Sequence, residues 1–158
     1  YCAGLTMNKS ELSFWYWFDK FMQITSKKYT LPISHDMRVD KVKIMNVRSG
    51  YHLKRDVTTY ISDEQQIQSV INFFEARKSG WWQPWGTLPA GYFTLTLVND
   101  SDDSQNISFS VTGRVVLTFN REEQRHIWRK FDESEYQELI LLLGFEVKSD
   151  IAGKFIKF

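Results

Sequence analysis

Three histidines, one cysteine and one acidic loop are the residues of this 158-residue chain whose types could support covalent or metal chemistry. His35, His52 and His126 form no H-x-x-x-H or H-x-H pair, so a metal site would need the fold to gather them beside a carboxylate. The run Ser34-His35-Asp36 holds the letters of a catalytic triad. Adjacent side chains cannot converge in triad geometry, which draws its members from separate elements. The loop Asn99-Asp100-Ser101-Asp102-Asp103-Ser104-Gln105 is acidic enough to suggest calcium. Counted from Asp100, Gln105 and Val111 stand where an EF-hand needs Gly and Glu, so the loop reads as a solvated hairpin tip. No glycine-rich phosphate cradle, nucleophile elbow or metalloprotease helix occurs. An enzyme would have to draw on His35 or His126 with a carboxylate. Neither cofactor nor metal is expected.

Binding chemistry is better represented. Trp 6, Tyr 7 and Phe 12 make 16 % of the chain aromatic. Trp81, Trp82 and Trp85 fall within Gly80-Trp81-Trp82-Gln83-Pro84-Trp85-Gly86-Thr87-Leu88-Pro89, a stretch without helical or strand periodicity. Read as a surface loop stiffened by Pro84 and Pro89, it would offer indole rings to a partner at low ordering cost. Trp15 and Trp17 could extend that surface. The ordinary alternative is that the loop folds back and its rings plug the core.

Charge excludes more than it suggests. Lys and Arg number 20 against 19 Asp and Glu, so the chain as a whole is not steered onto nucleic acid or an anionic surface. The basic runs Lys41, Lys43, Lys54, Arg55 and Arg121, Arg125, Arg129, Lys130 are diluted by Asp56, Glu122, Glu123 and Asp132. Cys2 is the only cysteine, which excludes an intrachain disulfide and a cysteine zinc cage. Followed by Ala3 and Gly4, it could be the lipid acceptor of a processed bacterial lipoprotein, against which stands an ordinary free thiol, since Tyr1 is large for the position before such a cleavage. Membrane contact is expected only through that lipid, and the location it implies is the periplasm or cell envelope.

The elements that must position these residues follow from periodicity. Asp63–Ser79 predicts a helix with Ser62 or Asp63 as cap and Ile67, Val70, Ile71 and Phe74 as its apolar stripe. Glu133–Leu143 predicts a second, with Asp132 and Glu135 as a capping box and Tyr136, Leu139, Ile140 and Leu143 as the stripe. Residues 12–24 alternate as a strand would, yet also carry the helical stripe Phe14, Trp17, Phe18, Phe21, Met22, and the helix is preferred. Strands are expected at Val39–Val47 and Tyr51–Ile61, paired through Arg48-Ser49-Gly50. Tyr92–Val98, Asn106–Val111, Arg114–Phe119 and Arg125–Lys130 complete the set, with Val115, Leu117 and Phe119 continuing the apolar face.

The expected architecture is a single α+β domain over residues 1–158, with 1–11 as a flexible tether. Two or three helices would pack on one face of an antiparallel sheet of about five to six strands. The expected function is non-catalytic protein binding by occlusion or scaffolding, through the tryptophan loop and the sheet's polar face. An inhibitor or immunity-like role falls in this class. Carbohydrate or small-ligand binding by an exposed Trp loop is the alternative, with a glycan as partner, and an enzyme with a His/carboxylate site is the second.

Overall fold

The structure, a computed structural model, describes residues 9–46, 58–83, 93–112 and 115–145. In chain order they form α1 (Lys9–Thr25), β1 (Lys28–Tyr29), β2 (Lys41–Asn46), β3 (Thr58–Ile61), α2 (Glu64–Glu75), β4 (Trp81–Trp82), β5 (Phe93–Val98), β6 (Ile107–Thr112), β7 (Val115–Asn120), β8 (Arg125–Lys130) and α3 (Glu133–Leu142). A short 3-10 turn, Asp103–Gln105, lies between β5 and β6. The strands make one antiparallel sheet in the order β1-β4-β8-β7-β6-β5-β2-β3. The fold is α+β as expected, with eight strands among the described residues where five or six were expected. The two additions, β1 and β4, are two residues long and have no period to read.

Local chemistry explains the helices. Asp63 caps α2 by accepting the Gln66 N–H at 2.8 Å, and α3 carries the full capping box between Asp132 and Glu135. α2 ends at Glu75, four residues before the expected stop. The Arg77 side chain then turns away to Glu135 (3.0 Å) and Glu138 (2.9 Å), which ties α2 to α3. Gly80 and Gly144 take φ of 82° and 81°, a backbone region open to glycine, and each follows a helix closely.

The main core lies between the sheet and the helices α2 and α3. Val42, Ile44, Leu95, Leu97, Phe109, Val111, Val116 and Ile127 face Ile67, Val70, Ile71, Phe74, Leu139 and Ile140, all buried. Phe74 stacks on Phe109 with centroids 4.1 Å apart and planes 7° from parallel. Trp81 is tilted against the same Phe109 ring at 6.0 Å.

Two expectations need correction. The register Val111↔Val116 and Phe109↔Thr118 turns Val116 and Thr118 toward this core. Val115, Leu117 and Phe119 therefore point to the other face, because one residue of offset reverses every side chain of a strand. Neither do all the helices share one face. α1 is tied by the Asp19–Lys130 ion pair, and Lys130 alternates with the core residue Ile127, so α1 lies on the opposite side. Sequence periodicity locates a helix but carries no information about which face of a sheet receives it.

Candidate functional site

Trp81 and Trp82 are not a platform. Both are fully enclosed at 0 % exposure, because they form β4 and pair with β1 and β8 instead of looping over the surface. Trp81 points into the main core, where its Nε1–H donates to the Arg77 carbonyl at 2.8 Å. Trp82 points to the second face and meets Trp128 edge-on at 5.2 Å. Their burial overturns the expectation that these two rings are open to a partner. Trp85, Pro84 and Pro89, like Cys2 and His52, lie outside the described residues.

Among the described residues, exposed aromatic rings gather on α1 instead. Thr25 Oγ1 donates to the Phe21 carbonyl and the Ser26 N–H to the Met22 carbonyl, which closes the last turn. Phe18, Asp19 and Met22 are half-buried toward the sheet. Phe14, Trp17, Phe21 and Ile24 are 60, 66, 60 and 79 % exposed. At 100° per residue these four lie within about 80° of one another, a single stripe flanking the sheet-facing side. The predicted stripe Phe14-Trp17-Phe18-Phe21-Met22 is thus split, with Phe18 and Met22 turned in and the rest turned out. Tyr16 (55 % exposed) packs edge-on to Trp17 at 5.8 Å, with the Lys20 ammonium 4.9 Å above its ring. Trp15 belongs to α1, its side chain being outside the described set. Besides Asp19–Lys130, α1 is held by Lys28, whose Nζ donates to the Gln23 carbonyl and sits 5.7 Å above the Trp82 ring. Burial at this contact lowers the Lys28 pKa.

Among the described residues the candidate chemistry stays dispersed. Ser34 Oγ donates to Asp36 directly, while His35 turns to Glu75, with Nδ1 3.5 Å from Oε1. The His35 side chain is 74 % exposed. His126, on β8, packs against Phe119 at 5.2 Å. In the acidic loop Asp102 accepts from the Ser104 hydroxyl and N–H, and these bonds hold its carboxyl below the usual aspartate range. Its oxygens serve the 3-10 turn. Among the described residues no group of three or more His, Cys, Asp or Glu is placed to hold a metal ion, and no helix is long and apolar enough to cross a membrane.

A cleft of about 530 Å³ opens at one end of the sheet, where the segment after β1, the β5–β6 connection and the β7–β8 turn converge. Leu31, Met37, Ile107 and Ile127 supply its apolar lining, and Ser34, Asn106, Asn120, Arg121 and Glu122 are among its polar lining. Sequence reasoning did not find it, because its walls come from three connections far apart in the chain. No family model, curated protein or solved structure matches this chain.

Proposed function

We propose that the chain is a non-catalytic protein-binding domain whose contact element is α1, acting by occlusion or scaffolding. The observation that carries this reading is the outward stripe of Phe14, Trp17, Phe21 and Ile24. The three rings alone leave on the order of 300–450 Å² accessible, the size of the largest apolar patches on monomers, which are often functional. A helical stripe of this spacing suits an apolar groove on another protein, entered at i, i+3, i+7 and i+10. Trp and Phe anchors at the centre of such a contact carry most of its energy.

The glycan alternative rested on the tryptophan loop, and two of its three rings are enclosed. A lipid on Cys2 would add a membrane tether seven residues before the start of α1 in the sequence.

A photo-crosslinking residue placed at position 17 or 21 tests the proposal, with position 65 on α2 as control. Protein adducts of one discrete mass from 17 and 21 but not from 65 support it. Equal adducts from all three positions overturn it. So does α1-dependent capture by phosphatidylglycerol vesicles or glycans without any protein adduct.

A further inference from the structure

The cleft at the sheet end has walls whose hydrogen bonds define what they still offer. Asn106 Oδ1 accepts the Asn99 N–H at 2.7 Å, and Asn120 Oδ1 accepts the Glu123 N–H at 2.9 Å. A backbone donor can only be met by the amide oxygen, so both side chains have their orientation settled and each keeps an NH2 group as donor. Arg121 donates to the Ser104 and Asn106 carbonyls, which pins the 3-10 turn as one wall. Those two bonds leave the guanidinium further N–H groups to donate. Glu122, next in the chain and exposed, has no hydrogen bond or ion pair with any described residue. Below them lie Leu31 and Ile127, 4 and 1 % exposed.

This set of groups has one simple complement. Two amide donors and a guanidinium favour a carboxylate, an unspent carboxylate favours an ammonium, and the apolar lining favours a hydrocarbon side chain. The volume falls in the range of sites that hold ligands larger than a single amino acid. We propose that the cleft binds a short peptide with free termini and an apolar side chain, its carboxylate toward Asn106, Asn120 and Arg121 and its ammonium toward Glu122. Asn106, Asn120 and Arg121 are held by bonds already made, so these three groups require little ordering on binding. None of the lining residues belongs to α1, so this site stands or falls separately from the helical contact.

The test titrates the whole chain with Leu-Leu, followed by backbone amide NMR, with N-acetyl-Leu-Leu-amide and Ser-Ser as comparisons. Leu-Leu is expected to shift signals of residues 104–107 and 119–122, with each comparison peptide binding at least ~10-fold more weakly. Glu122→Gln should abolish the preference for a free amino terminus while leaving the spectrum's dispersion unchanged. No shifts at ~10 mM Leu-Leu, beyond a millimolar Kd, would overturn the assignment. So would equal affinity for the blocked peptide, shifts confined to other residues, or stronger shifts of the same signals by glucose.

Discussion

Trp82 and Trp128 meet edge to face across β4 and β8, ring centroids 5.2 Å apart, and neither buried indole N–H has an acceptor among the described residues. An edge-to-face indole pair contributes ~0.5–1.5 kcal/mol beyond area burial, whereas each orphaned donor costs ~1–3 kcal/mol. The contact therefore stabilises through its hydrocarbon surface and against its own polar atoms. Trp128→Phe, which keeps a ring and removes one orphan, is expected to leave the unfolding free energy from urea titration unchanged or raise it by up to ~1 kcal/mol. Trp82→Ala should cost ~3–5 kcal/mol. A loss above ~2 kcal/mol in Trp128→Phe would show that its N–H has a partner after all.

The second face of the sheet yields a direct test of register. Leu117 is 4 % exposed there, while Phe119, two residues on and on the same side, is 44 % exposed. Leu117→Ala is therefore expected to cost ~2–4 kcal/mol, and Phe119→Ala under ~1 kcal/mol despite the larger ring removed. Equal costs at the two positions would mean that β7 pairs one residue out of step with the assigned ladder.

How far each feature was legible depends on where its determinants lie in the chain. Asp63 with Gln66 and Asp132 with Glu135 are local pairs, so α2 and α3 could be placed from a few letters. The long strands alternate and could be placed likewise. Trp81 and Trp82 could not, since their partners Tyr29, Lys28 and Trp128 are remote and a two-residue strand has no period. Val115, Val116 and Leu117 are all apolar, so alternation alone could not decide which of them faces α2. Trp17 was singled out and is exposed, but for a surface that Trp81 and Trp82 do not supply.

Asp40 links β2 to the β5–β6 connection and makes stability depend on pH. Its Oδ2 accepts the Asp100 N–H at 2.8 Å, and Arg38 pairs with Oδ1 at 3.2 Å. The backbone bond foremost, aided by Arg38, holds the carboxyl below its usual range. A depressed folded-state pKa contributes stability above the unfolded value of ~3.9, lost as pH falls through the folded value. Asp40→Asn should thus lower the urea midpoint at pH 7. The gap to the parent chain should narrow below the ordinary aspartate pKa. A gap that stays constant into acid would show that the Asp40 charge contributes nothing.

The two sides of α1 should respond oppositely to polar substitution. Trp17 and Phe21 are 66 and 60 % exposed, so Trp17→Ser with Phe21→Ser removes little that folding buries. The double variant is expected within ~0.5–1 kcal/mol of the parent, since exposed sites away from special features rarely exceed ~0.5 kcal/mol each. Its binding of the apolar dye ANS should fall, because the stripe is the surface the dye would find. Phe18→Ser with Met22→Ser, on the half-buried side, should cost more, about 1–3 kcal/mol, and free α1 from the Trp82 side of the sheet. Urea midpoints and dye fluorescence on the same four-residue set decide the matter. Should the Trp17/Phe21 pair prove the costlier, the stripe packs inward in solution and α1 presents no contact surface to a partner.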